Sequence, residues 1–308
     1  MDLIRALQGF ASPELDSVVL FLTNLGSEYA YISFLVVAYL AINARIGQRL
    51  GVALLVSFYL NQHAKAFFDT PRPFQLEASL LRGEAAGETA LGAAFPSGHA
   101  QSSLTFWGLA AYYAKRTWFW VVALGLIALI SLSRLYLGVH FPIDIVGGLV
   151  LGVMIILVAL WAFSLADAIS YVPSWVVPVL GIGIPLLFHY FEPTPDSALL
   201  LGGLAAFITG PGFYPHYVPR ALWKRVLLAL IGLFLTLGVL FGSSAILPED
   251  LKRHWLGGFV RYLGLGYVAT LFIPWLARVT RLSPRHEQLR HTAGHSSQRY
   301  IPIPQEED

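Results

Sequence analysis

The chain has 308 residues, of which 56% are hydrophobic and only 12% charged, with a mean hydropathy of +0.64. Soluble domains carry about 25% charged residues, so the composition is that of a polytopic membrane protein and excludes an ordinary soluble enzyme. The net charge, 20 − 18 = +2, gives no reason to expect a nucleic-acid partner, and the absence of cysteine excludes a disulfide framework and a thiolate metal site.

Taken in chain order, the first five residues lack a basic stretch leading into an apolar one, so no cleavable signal peptide is expected. Residues 2–26 carry acids at Asp2, Glu14 and Asp16 among apolar residues at helical spacing, and read as an interfacial or half-inserted helical hairpin. A spanning helix needs about 20 predominantly apolar residues. Nine stretches qualify as candidate spans: 28–44, 50–68, 98–114, 118–136, 142–164, 173–191, 197–211, 223–243 and 256–277. The seventh is short and ends in Gly210, Pro211 and Gly212, which predicts a broken or tilted helix. The expected fold class is therefore an all-α polytopic membrane bundle. Its expected divisions are an N-terminal hairpin (1–27), a first bundle (28–165), further C-terminal transmembrane helices (173–282) and a polar, disordered tail (283–308).

Basic residues orient this arrangement. Arg45 and Arg49, Lys115 and Arg116, then Arg220, Lys224 and Arg225, and finally Arg278, Arg281, Arg285 and Arg290 all fall on one side of a nine-span layout. That side is expected to be cytoplasmic and to hold the C-terminus, in a bacterial inner or plasma membrane. The other side receives Glu192, Asp196 and residues 249–253. Trp118, Trp120, Trp175, Trp255 and Trp275 lie near expected span ends, where an aromatic belt would sit. Glu77, Arg82, Glu84 and Glu88 make residues 74–94 a polar excursion long enough to rim a site.

Three polar clusters stand out on the side opposite the basic loops. Residues 65–73 read KAFFDTPRP, residues 96–99 read PSGH, and residues 133–144 read SRLYLGVHFPID. PSGH precedes an apolar run, which places Ser97 as an N-cap and Gly98 in the first helical turn, where free N–H groups and a positive dipole end suit a phosphate. The plainer reading is that Ser97 only caps its helix. Lys65, Arg72 and Arg134 each sit at the outer end of a span, either binding phosphoryl oxygens or snorkelling to the interface. Pro142 reads as the first residue of a helix, which puts Asp144 in its first turn within reach of the His140 ring. His63, His189, His216 and His254 occur singly near span ends and read as structural or interfacial.

The pattern K-x6-R-P, P-S-G-H, S-R-x5-H-x3-D is complete here, and the chain from about residue 24 to 163 resembles the type 2 phosphatidic acid phosphatases. That resemblance implies roles. His140 would attack phosphorus to form a phosphohistidine, Asp144 would orient it, and His99 would protonate the leaving oxygen and then activate water. Lys65, Arg72, Ser97, Gly98 and Arg134 would bind the phosphate. No metal and no cofactor are expected. The implied function is an integral membrane lipid phosphatase, acting on a lipid phosphate or diphosphate at the periplasmic or outer face. Undecaprenyl diphosphate, phosphatidylglycerol phosphate and phosphatidic acid are the candidate substrates. The four spans after the core resemble the sphingosine-1-phosphate phosphatase branch in broad layout. Two alternatives stay open: a lipid phosphotransferase using the same phosphohistidine, and a transporter or scaffold role in the C-terminal half. The expected partners are the membrane lipid substrate and the bilayer, with the C-terminal helices as candidates for a homodimer interface.

Overall fold

The computed structural model describes residues 1–90 and 92–284, and among these every regular element is a helix. The tail expected to be disordered lies almost wholly outside the described residues, as do Arg285 and Arg290.

Two short helices open the chain, α1 (Asp2–Gln8) and α2 (Pro13–Asn24). Ser12 caps α2 by accepting from the Leu15 N–H, Pro13 takes the first helical position, and Glu14 and Asp16 lie against the positive dipole end. Helix α3 (Glu28–Val37) continues through a π-turn at Ala38–Ile42, and α4 (Ala44–Phe68) carries the first polar cluster at its end. The excursion folds into α5 (Pro73–Leu76), a 3-10 turn at Ala78–Leu80 and α6 (Glu84–Glu88). Next come α7 (Gly98–Ser103), a π-turn at Leu104–Gly108 and α8 (Leu109–Ala114), then the long rods α9 (Thr117–Tyr136) and α10 (Pro142–Ala168). The C-terminal part holds α11 (Val176–Phe191), α12 (Pro195–Phe213), α13 (Leu222–Ile246), the short α14 (Glu249–Arg253), and α15 (Trp255–Tyr267). A π-turn at Val268–Phe272 joins α15 to α16 (Ile273–Val279).

Helical rods occur at all nine expected positions, but length and apolarity single out fewer. Among the described residues, α9, α10, α12, α13 and the rod Trp255–Val279 are long and apolar enough to cross a membrane, and the pair Pro13–Asn24 with Glu28–Ile42, bent by 53°, makes a sixth if counted as one span. These rods turn large apolar side chains outward, such as Val150, Met154, Leu157 and Trp161 on α10. Water would make that face unfavourable, whereas lipid tails do not.

The seventh expected span, read as broken or tilted, is a continuous helix. Helix α12 runs through Pro211 to Phe213, and α11 runs through Pro185. A proline removes one backbone N–H and crowds the carbonyl four residues earlier. In α11 that earlier residue is Gly181, and neighbouring turns keep the helix continuous.

The chain divides into two compact units. The first comprises Met1–Phe34 with Ala53–Trp161, and so contains all three polar clusters. Its core has Ala100, Leu135 and Ile145 packed with Leu7 and Leu149, and a second group of Val19, Ala86, Ala90, Tyr136, Leu137 and Val139. The second comprises Leu35–Val52 and the chain from Ala162 onward. It is cored by Val36, Tyr39, Leu40, Leu228, Ala269, Ile273 and Ala277.

Candidate active site

Two local motifs deliver the histidine and its carboxylate. Helix α9 ends in a Schellman turn: the Val139 N–H donates to the Arg134 carbonyl at 3.2 Å and the Gly138 N–H to the Leu135 carbonyl at 3.0 Å. Gly138 has φ +70°, and a Cβ there would run into the Leu80 carbonyl, so only glycine fits. Pro142 then starts α10, as expected, and Asp144 lies one turn from His140. Its Oδ2 accepts from the Phe141 N–H at 2.7 Å and lies 3.3 Å from His140 Nδ1. A carboxylate at Nδ1 fixes the proton there and leaves Nε2 as the basic nitrogen. His140 Nε2 lies 3.2 Å from Arg72 Nη1, which donates to it. Burial, and then Arg134, Arg72, Lys65 and His99 around it, hold the His140 pKa well below the usual histidine value, so the ring is neutral at ordinary pH.

The PSGH turn docks on the start of α10, where the Ser97 N–H donates to the Asp144 carbonyl at 2.9 Å. Gly148 of α10 makes that approach possible, because a Cβ there would meet the Ser97 carbonyl. Ser97 stands at the N-cap position of α7, as expected, yet its hydroxyl makes no capping bond. It is fully buried and its Oγ has no partner. Capping therefore does not account for this serine. The next residue but one, His99, likewise has a buried Nε2 without a partner.

The cations come from three elements. Arg72 is 1% exposed and is held by backbone carbonyls: Nε donates to Gly92 at 2.9 Å, Nη2 to Ala93 at 3.2 Å and Nη1 to Val139 at 2.9 Å. Burial lowers its pKa to about 10, which still leaves it charged. Lys65 Nζ donates to the Ala93 carbonyl at 2.6 Å. Arg134 is fully buried, and its Nη1 and Nη2 donate only to Thr23 and Thr89 oxygens, all neutral. Its Nε has no partner. A buried guanidinium without a counter-charge costs several kcal/mol. The arrangement calls for an anion from outside.

The rim is the polar excursion together with the loop after Lys65. A cavity of about 500 Å³ is lined by Asp69, Thr70, Pro71, Gln75, Ala90, Gly92 and Ala93. Gly92 and Ala93, whose carbonyls hold Arg72 and Lys65, are thus among the residues that line it.

Several residues that shape the site do not stand out in the sequence reading. Asn61 donates to the Pro96 carbonyl at 3.3 Å and to Gln101 Oε1 at 2.8 Å, and Gln101 donates in turn to the Ser57 carbonyl at 2.8 Å. This buried strut stands beneath the PSGH turn. Polar side chains inside apolar helices were the available signal for Asn61 and Gln101. Thr23 and Thr89 carry no such signal. The single histidines behave as expected: His63 bonds the Tyr59 carbonyl, His189 joins Ser197 to the Trp255 carbonyl, and His216 bonds the Leu40 carbonyl.

Two family models match the chain: one described as PAP2 superfamily, over residues 47–167, and one described as PAP2 superfamily phosphatase, transmembrane extension, over residues 197–285. Sphingosine-1-phosphate phosphatase 2 of Mus musculus is 29% identical over 182 residues, which cover 57% of this chain and 50% of that one. The undecaprenyl-diphosphatase of Sulfolobus acidocaldarius is 31% identical over 144 residues, covering 45% of this chain and 66% of that one. The crystal structure of Aquifex aeolicus LpxE is matched with a TM-score of 0.45 at 24% identity, covering 52% of this chain and 93% of that one. The chain spans about half the length of the sphingosine-1-phosphate phosphatases it matches. With the transmembrane-extension match and its apolar rods, the chain is an integral membrane protein.

Proposed function

The chain belongs to the PAP2 superfamily, and on that premise we propose that it is a lipid phosphatase that hydrolyses a lipid phosphate or diphosphate through a phosphohistidine on His140. The observation that carries this reading is the fully buried Arg134, which has no carboxylate within ion-pair distance among the described residues and keeps a free Nε. Ser97 Oγ and His99 Nε2, also buried and without partners, belong to the same constellation.

In the proposed reaction His140 Nε2 attacks phosphorus while the bond to the lipid oxygen breaks. His99 gives that oxygen its proton, so the lipid leaves as an alcohol, or as a monophosphate from a diphosphate substrate. Water then attacks phosphorus, His99 takes its proton, and the P–N bond breaks to release phosphate. Asp144 stabilises the imidazolium that develops on His140 as Nε2 attacks and that lasts until the P–N bond breaks. Lys65, Arg72 and Arg134, with Ser97 Oγ and the Gly98 N–H, offset the charge on the equatorial oxygens.

A site ringed by three cations repels a divalent metal, so turnover should persist in excess EDTA and be inhibited by orthovanadate, which mimics the trigonal-bipyramidal transition state. Loss on chelation with recovery on adding Mg2+ would overturn the mechanism. The substrate class is tested by phosphate release from a detergent panel of undecaprenyl diphosphate, phosphatidylglycerol phosphate, phosphatidic acid and sphingosine 1-phosphate. No release from any of them would overturn the lipid phosphatase reading.

The positive-inside pattern of the nine-span layout supports a site that faces outward. The chain has no cysteine, so single replacements report cleanly. Exposed Ala85 lies on the site side and exposed Arg116 on the opposite side of the layout. Ala85→Cys should react with an impermeant thiol reagent on intact cells and Arg116→Cys only after lysis.

A further inference from the structure

Helix α2 lies outside both matched stretches, the first of which begins at residue 47. Yet Thr23, in its last turn, is fully buried with its hydroxyl 2.8 Å from Arg134 Nη1. A guanidinium has five N–H donors in one plane. On Arg134, Thr23 Oγ1 and Thr89 Oγ1 take both donors of Nη1, at 2.8 and 2.9 Å, and the Thr89 carbonyl takes one of Nη2, at 3.2 Å. The donors left over are the Nε–H and the second Nη2–H, which lie on one edge of the fork, and Nε is buried without a partner. Three residues after Thr23, Gly26 faces the neighbouring histidine: a Cβ there would stand 2.9 Å from His99 Cδ2 and 2.8 Å from Ile130 Cγ2. One short stretch of the N-terminal segment thus abuts both Arg134 and His99.

We propose that Thr23 is a positioning residue for phosphoryl transfer: together with Thr89 it occupies Nη1 and so turns the Nε–Nη2 edge of Arg134 toward the phosphoryl group. The proposal rests on the reading of Arg134 as a phosphate ligand given above. It makes the N-terminal helical pair part of the catalytic machinery rather than a membrane attachment alone. The physical reason is competition within the fork. Without the Thr23 hydroxyl, a buried Nη1–H loses its acceptor, and an anion is the best replacement. The guanidinium would then rotate to offer the freed donor to substrate and lose the two-point grip of its free edge.

Thr23→Val keeps the shape and removes the hydroxyl, whereas Thr23→Ser keeps the hydroxyl. Thr23→Val is expected to lower kcat/KM on the best substrate of the panel about tenfold, equal to about 1.4 kcal/mol, and to raise the orthovanadate Ki in parallel. Thr23→Ser should stay within about twofold of wild type for both quantities. In an Arg134→Lys background, Thr23→Val should add almost nothing, because lysine has no Nη1 to hold. Should Thr23→Val not accumulate in the membrane, Thr23→Ala carries the same comparison.

A purely structural Thr23 would lower the Tm of the valine variant and leave the vanadate Ki at the wild-type value, and that result overturns the proposal. Equal impairment of the valine and serine variants overturns it as well. If Arg134→Lys is impaired and Thr23→Val is not, the positioning role alone fails. If Arg134→Lys has wild-type kcat/KM, the phosphate reading of Arg134 fails, and the Thr23 proposal with it.

Discussion

The two units of this chain differ in whether they bury charge. In the first unit Arg72, Arg134, His140 and Asp144 are all buried. Around them Ser97 Oγ, His99 Nε2 and Arg134 Nε are left without partners. In the second unit the buried polar residues are histidine, serine and threonine, with no buried Lys, Arg, Asp or Glu among the described residues. His189 there is saturated, with Nδ1 2.7 Å from Ser197 Oγ and Nε2 2.7 Å from the Trp255 carbonyl. Thr209 bonds the Ala205 carbonyl and the Tyr267 hydroxyl, and Thr270 the Gly266 carbonyl. Charges of the second unit stay at the surface, as where Arg45 and Arg49 both grip Asp167. Burying charge is costly, and leaving a buried donor unmatched adds about 1–3 kcal/mol. Among the described residues only the first unit takes on the cost of burying charged side chains, and it gathers them in the candidate site.

The comparison breaks most sharply at His140. Replacing His140 by Ala should abolish phosphate release while the protein still accumulates and folds, because no other group in the site is placed to carry the phosphoryl intermediate. Turnover above a trace would move the nucleophile elsewhere. In the wild-type protein the acid limb of kcat/KM for phosphate release should lie below pH 6.5, the ordinary histidine value. As the proposed nucleophile His140 would have to be neutral, its pKa is lowered, and so activity should be lost only once pH falls through that lowered value. A limb above 6.5 would contradict the electrostatic picture.

Arg134→Lys comes next. On the proposed reading a lysine would supply one contact where the fork would supply two, and a charge-assisted hydrogen bond is worth about 1.5–3 kcal/mol. The expected fall in kcat is about ten- to a hundredfold, at 1.36 kcal/mol per decade, with unchanged expression. An interface-snorkelling arginine would tolerate the change without loss.

The second unit should answer differently. His189→Ala removes a buried bridge and leaves Ser197 and the Trp255 carbonyl without it, which should cost about 2–4 kcal/mol. The readout is a lower Tm in detergent, with kcat per folded molecule unchanged; a catalytic loss at wild-type Tm would erase the contrast between the units. The smallest effect belongs to Asp167→Asn. Its partners are partly exposed, so solvent screens the pair and the change should amount to about 0.5–1 kcal/mol of stability with no kinetic effect.

Much of this molecule was decided by the sequence on its own. Apolar runs of spanning length need no tertiary information to be read as helices, because a backbone in lipid must satisfy its hydrogen bonds within one segment. The spacing from Arg134 to His140 to Asp144 is equally local. It encodes a glycine turn with φ +70° at Gly138 and a proline start at Pro142, and both are properties of consecutive residues. What the tertiary structure decided is how these pieces share their donors. Ser97 sits where a cap is expected, but only the packed site reveals that its hydroxyl is not used for capping. The stretch at Pro211 reads as a break or a tilt, yet its helix runs through it, as α11 runs through Pro185, since packing rather than propensity sets helix continuity. The Thr23–Arg134 bond joins residues 111 apart in sequence. A threonine near the end of an apolar helix has no periodicity, charge or motif to announce it. The role proposed for it depends on sharing Arg134 Nη1 with Thr89, 45 residues from that arginine, and only folding brings the three together.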